Sequence, residues 1–219
     1  RLARVTNLYG RLGHLAQVHG LEGALPQAIR PHMVSARRLN VHQRDAMVRE
    51  CAHLADALGP LGVPLVLLKG AAYATQGLAC SQGRLFGDVD LLVPLEALPR
   101  TEAALMLHGW TLGAIDPYDE RYYRQWSHEL PPFTHLHRGT VVDVHHNILP
   151  LTARDVPDAA ELLARSEPVA GTRLSTLAPT DMVIHSAVHL FHEGELRNGL
   201  RDLSDLHELL VELSEADPA

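Results

Sequence analysis

Residues 67–93 open with Leu67-Leu68-Lys69-Gly70, run through AAYATQGLACSQGRLFG over 71–87, and close with Asp88-Val89-Asp90-Leu91-Leu92-Val93. The apolar run Val63-Pro64-Leu65-Val66-Leu67-Leu68 is short, continuous and bounded by turn residues, the pattern of a strand buried on both faces and central in its sheet. Gly70 to Gly77 predicts a brief helix and Cys80 to Phe86 a loop. Asp88 to Val93 predicts a second strand, which Pro94 stops before a helix opens through about Leu107.

Asp88 and Asp90 stand two apart, so in a strand both carboxylates leave on one face, where without a partner they repel. A cation is the simplest remedy. Oxygen-only ligation completed by phosphate suits Mg²⁺, and two such ions can clamp the attacking and leaving oxygens of phosphoryl or nucleotidyl transfer. Two solvated acids at a strand start are the plainer reading. Asp143 sits among Val141, Val142 and Val144, where a charge needs a partner, either a metal or a buried ion pair. His145 shares its face and is placed to contact substrate or hydrogen-bond a metal ligand. Lys69 is the only lysine among 19 basic residues. It stands at the strand end, to bind a triphosphate or simply as a surface residue. Arg84, four residues before Asp88, reads either as a phosphate-binding cation or as an ion pair ordering its loop.

Outward from this block, apolar positions Leu39, Met47, Cys51, Leu54, Ala55 and Leu58 recur mostly every three or four residues and predict a long amphipathic helix from Val34 to Leu58, ended by Gly59-Pro60. Residues 1–32 read as short helices broken by glycine and proline. Thr111 to Ala114 predicts a third strand, with an aromatic helix at Tyr122, Tyr123 and Trp126 whose rings read as core more than as a stacking platform for bases. Phe133 to His137 and Thr140 to His146 flank Arg138-Gly139 as a hairpin. Beyond Pro150, helices are expected at Ala159–Ala164, Pro179–Glu193 and about Asn198–Leu213, with a small strand near Arg173–Ser175. These divide the chain into an N-terminal helical segment (1–33), an α/β core (34–149) and a helical C-terminal subdomain (150–219). Neither G-x-G-x-x-G nor a Walker A sequence occurs, which argues against dinucleotide and P-loop chemistry.

The stretch from Leu67 to Val93, with VVDVHH at 141–146 and the helical tail, resembles the uncharacterised nucleotidyltransferase family of the DNA polymerase β-like superfamily. The resemblance covers about residues 34–213. It implies an α+β fold with a small mixed β-sheet, packed helices and a helical C-terminal part. By the same resemblance Gly70 lies at a phosphate-binding turn, Asp88 and Asp90 bind Mg²⁺ or Mn²⁺, and Asp143 is the third carboxylate. The implied activity is transfer of an NMP from an NTP, ATP among them, to an acceptor that is protein, RNA or small molecule. The catalytic residues would be Asp88, Asp90 and Asp143, with Lys69, Gly70, Arg84 and His145 around the nucleotide. Ala71 departs from the usual Gly or Ser, and 16 residues separate it from Asp88, longer than the commonest spacing. This departure motivates a second reading, a catalytically inactive module of the same fold that binds a nucleotide, peptide or protein partner.

Composition sets the frame. The chain has 219 residues, 46% hydrophobic and 21% charged, as ordinary globular proteins have. No run of about 18 apolar residues is present to span a bilayer as a helix. Two cysteines, Cys51 and Cys80, make no disulfide framework, which with the absence of a signal peptide predicts a cytoplasmic protein. The start at Arg1 predicts native residues upstream. Net charge is −7, yet residues 1–50 carry eight Arg against three acids, a bias that reads as a solvated face or as a weak attraction for RNA. His185, His189 and His192 recur along one helix face. They read as packing histidines, paired with Asp202 or Asp205, more than as the ligands of a zinc hydrolase, because no H-E-x-x-H sequence is formed.

Overall fold

The structure, a computed structural model, describes residues 3, 6–113, 116, 118, 121–123, 126–192 and 198–216. Ala114 and Glu193, two of the expected element ends, lie outside them. The helices are α1 (Tyr9–Val18), α2 (Arg30–Leu58), α3 (Lys69–Gln76), α4 (Leu98–Leu107), α5 (Ala159–Ala164), α6 (Pro179–His192) and α7 (Gly199–Ala216). The strands are β1 (Val66–Leu67), β2 (Val89–Leu92), β3 (Trp110–Leu112), β4 (Phe133–His135), β5 (Val141–His145), β6 (Glu167–Pro168) and β7 (Ser175–Thr176). They belong to two compact units, one of residues 1–48, 73–86 and 186–219, the other of residues 49–72 and 87–185.

The second unit holds the whole sheet, seven strands in the order β3-β4-β5-β2-β1-β7-β6. It is mixed: β2 runs parallel to β5 and β1 to β7, while the other neighbours are antiparallel. This is the small mixed sheet with packed helices expected from the sequence. Buried on both faces, β1 and β2 are apolar throughout except at Asp90. Leu54, Leu58, Leu67, Leu91, Leu105, Trp110, Phe133 and Val144 are sealed from solvent around them.

The predicted hairpin forms between β4 and β5, but its loop has four residues, Leu136 to Gly139, instead of two. Gly139 takes φ +65°, the left-handed conformation that closes such a loop and that the preceding Arg would resist. A buried bidentate clamp holds the hairpin. Glu50 on α2 is only 3% exposed and accepts from Arg138 at 2.7 and 3.0 Å and from Thr140 at 2.6 Å, and Arg138 lies 4.8 Å over the Trp110 ring. Upstream of β4 the pairing slips: Phe133 faces Val142, yet Glu129 and not Leu130 faces His145. The extra residue falls at Pro131-Pro132, which have no N–H to offer a ladder.

Other expectations need correction. Leu39 is 46% exposed, so the buried apolar stripe of α2 starts only at Met47. Tyr122 and Trp126 are exposed, at 46% and 42%, and stack loosely on one another instead of filling a core. β6, which pairs with β7, is too short and too exposed to leave an apolar signature.

In the first unit part of the arginine excess of residues 1–50 is engaged within the protein. Arg11 and Arg84 both grip Asp205, Arg37 pairs with Glu22, and Arg30 caps the carbonyls of Gly23 and Leu25. Gly10 and Gly83 pack backbone to backbone, where a Cβ on either would collide with the other segment. Cys80 is fully buried there, and burial pushes its thiol well above the usual range. Cys51, in the second unit, is 2% exposed. Both thiols are therefore expected to resist an aromatic disulfide reagent in the folded protein and to react only at the rate of unfolding. Rapid native labelling of either would contradict this packing.

Candidate active site

Each acid is set by strand register. Leu68 N donates to the carbonyl of Asp90 at 3.0 Å, extending the antiparallel β1–β2 pair and bringing Lys69 level with Asp90. On the other side of β2, the parallel register places Asp90 directly beside Asp143, and Leu92 beside His145. Asp88 stands just before β2 and is exposed, while Asp90 is 5% exposed. The three predicted acids thus lie on or beside two adjacent strands, with Asp88 hydrogen-bonded to Asp143, but their ligand atoms do not all close to within 4.8 Å of one another.

Two of these neighbours have opposite electrostatics. Burial alone would push the Asp90 carboxyl up, but the Lys69 ammonium and the His145 ring, each 3.0 Å from its Oδ1, hold it well below the usual carboxylate range. Among the described residues the charges acting on Asp143 are acids. Burial, then the charges of Asp90, Asp88 and Glu129, push its carboxyl up to about 8. In charge and donor chemistry these carboxylates suit Mg²⁺ or Mn²⁺, which would supply the missing positive charge.

Lys69 makes the turn from β1 into α3 with φ +44°, a left-handed conformation that is uncommon outside glycine and a mark of a strained, over-determined position. Gly70 follows in the first turn of α3, where N–H groups have no intrahelical acceptor. Ala71 is completely buried, its methyl part of the core.

Arg84 has a carboxylate partner of its own. It belongs to the first unit, is 9% exposed, donates to Asp205 at 2.7 Å and lies over the rings of Tyr73 and Phe86. The Asp partner expected for the α6 histidines is thus engaged by Arg84 and Arg11, and Asp202 pairs with Arg201. Among the described residues the ligand-bearing side chains that converge are instead His128, Glu129 and His145. Sequence reading missed the first two because they reach His145 through the slipped pairing at Pro131-Pro132, which no local pattern announces.

An α+β sheet with an acid pair on one strand, a third acid on its parallel neighbour and a strand-to-helix turn beside them defines the nucleotidyltransferase fold. This chain belongs to the uncharacterised nucleotidyltransferase family, whose profile matches residues 1–218. Among solved structures it is similar to the antibiotic-resistance factor ANT(2'')-Ia in solution, at 14% identity and TM-score 0.53 over 77% of this chain and 85% of that one. The crystal structure of the same factor in complex with adenylyl-2''-tobramycin aligns at 13% identity and TM-score 0.51, over 77% and 90%. An antigenic nucleotidyltransferase-like protein from Paracoccidioides brasiliensis aligns at 16% identity and TM-score 0.47, over 77% of each chain. No curated protein matches this chain. Family and fold together support a nucleotidyl-transfer function. Among the described residues no helix is long and apolar enough to cross a membrane.

Proposed function

We propose that this protein is a divalent-metal-dependent nucleotidyltransferase that moves an NMP from an NTP to an acceptor. The observation that carries the proposal is the pairing of Asp90 with Asp143 on parallel strands, with Asp88 bonded to Asp143 and Lys69 bonded to Asp90. Asp88, Asp90 and Asp143 would hold Mg²⁺ or Mn²⁺, which when bound screens the triphosphate and acidifies the acceptor hydroxyl.

The remaining work falls to the chain itself. Lys69 and the amides at Gly70 bind the phosphates, Lys69 keeping its contact with Asp90 or exchanging it for a phosphate oxygen. The acceptor oxygen attacks the α-phosphorus, a P–O bond forms, the α–β bridging P–O bond breaks, and pyrophosphate departs with the electron pair. The acceptor's proton passes to the Asp143 carboxylate, which a bound ion would keep deprotonated and ready to act as general base. His145, bonded to the same Asp90 oxygen as Lys69, orients that carboxylate. Arg84, committed to Asp205, orders its own loop instead of binding phosphate. ANT(2'')-Ia, seen with an adenylylated aminoglycoside, carries a small-molecule acceptor on the same fold. Small molecules therefore stand beside protein and RNA as acceptors to test.

The inactive module remains the alternative, favoured by Ala71, which offers no hydroxyl to phosphate. Label transfer from each α-labelled NTP, with Mg²⁺ or Mn²⁺, into a host extract separated into protein, RNA and small-molecule fractions decides between them. Label in one fraction, absent with Asp88→Asn, is the expected result and names the acceptor class. Metal-dependent NTP binding by a folded protein with no Asp88-dependent transfer would establish the inactive module.

A further inference from the structure

His145 is 1% exposed, and only one of its ring nitrogens is hydrogen-bonded. Nε2 meets Asp90, while Nδ1 is buried with no hydrogen bond and has the Glu129 carboxylate 3.4 Å away. The His128 ring lies alongside, 5.4 Å between centroids, and the ligand atoms of all three side chains fall within 4.8 Å of one another. Their backbone is tied down as well. Leu130 N donates to Val144 O and His146 N to His128 O, each at 2.8 Å.

We infer that His128, Glu129 and His145 form a second cation site, for a borderline divalent ion of the Zn²⁺ class, separate from the carboxylate site. Two imidazoles and one carboxylate are a donor set that zinc-class ions prefer and Mg²⁺ does not. Two ligand atoms on a tetrahedral Zn²⁺ stand about 3.3 Å apart, given metal–ligand bonds of about 2.0–2.1 Å, so Nδ1 and the Glu129 oxygen already span one edge. His128 closes the face and leaves a fourth position for water. Metal on Nδ1 fixes the proton on Nε2, which then donates to Asp90, the arrangement in which a ligand histidine hands its other N–H to a carboxylate. The ion thereby positions Asp90. Zinc binding itself does not depend on nucleotidyl transfer, so either reading can fail without the other.

The test is metal binding by the whole chain in excess Mg²⁺, with Zn²⁺ titrated against a chromophoric chelator and Co²⁺ used as a spectroscopic probe. One equivalent of Zn²⁺ is expected, together with the strong visible bands of four-coordinate Co²⁺ bearing nitrogen ligands. His128→Ala and Glu129→Gln should each weaken Zn²⁺ binding roughly tenfold or more, while Asp88→Asn, outside the cluster, should leave it unchanged. The Co²⁺ spectrum is read on the unaltered chain, so a variant that fails to fold does not rescue the proposal. Absence of stoichiometric Zn²⁺, only the weak bands of six-coordinate Co²⁺, or binding lost with Asp88→Asn but kept with His128→Ala would each overturn it.

Discussion

Asp90→Asn is expected to destabilise the metal-free protein by about 3–5 kcal/mol, the usual loss when one partner of a buried ion pair is removed. The Lys69 ammonium, with its side chain 15% exposed, would lose its carboxylate, and His145 its acceptor. The same change is expected to lower nucleotidyl transfer by about 10³-fold, several kcal/mol of transition-state stabilisation. The pH dependence follows from the same pair. A carboxyl held below its unfolded value contributes stability that is present above the ordinary carboxylate range and is lost as pH falls through it. Stability should therefore fall more steeply on acidification in the unaltered protein than its other carboxylates require, and Asp90→Asn, less stable at neutral pH, should lack that part of the slope. Urea unfolding curves at neutral and acidic pH measure both effects. An unchanged midpoint at pH 7 would mean that the Lys69–Asp90–His145 contacts carry no net stability.

Asp143→Asn should do the reverse to stability while also silencing the enzyme. Asp143 stands beside Asp90 in register, but its neighbours are acids, so its carboxyl is raised to about 8. A group raised in the folded state favours folding fully below the unfolded carboxylate pKa, and that contribution is lost as pH rises through about 8. The metal-free protein should thus melt at progressively lower temperature between roughly pH 4 and pH 8, and Asp143→Asn should flatten that slope and raise Tm at pH 8. Saturating Mg²⁺ should flatten it too, releasing the proton from Asp143 as it binds. Transfer is expected to fall roughly 10²–10⁴-fold in the variant, the range for loss of a general base. Thermal melts across pH, with and without Mg²⁺, settle the matter. A variant less stable than the parent at pH 8 would show that repulsion does not dominate at this position. On the expected result, two acids paired residue to residue on neighbouring strands are told apart by stability alone.

The sequence was legible where physics is local. Val63 to Leu68 and Asp88 to Val93 are mostly apolar because their strands are central in the sheet and buried on both faces, so the strands and their acids could be located without partners. The spacing of Gly59-Pro60 and Pro94 fixed where elements stop. What local patterns do not carry is pairing at a distance. Glu50 reaches Arg138 across 88 residues, and nothing near either residue signals the other. Arg84 was read beside Asp88 because it is close in the chain, whereas its partner Asp205 lies 121 residues away. The exposed aromatics at Tyr122 and Trp126 failed for a different reason. Aromatic rings are usually buried, and composition gives no warning when a short helix leaves them in water.

The slip at Pro131-Pro132 has a last consequence. Side chains change face with every residue, so a continuous ladder from Phe133 and Val142 would set Leu130, not Glu129, against His145. The histidine's neighbour is thus chosen by a count of residues and not by their kind. A one-codon insertion in the double proline, with the slip retained, would keep every acid and imidazole in the chain and still put the Leu130 hydrocarbon where the carboxylate now stands. Relatives that keep all three residues but carry one residue more in this stretch would accordingly share the letters of the cluster without sharing the cluster.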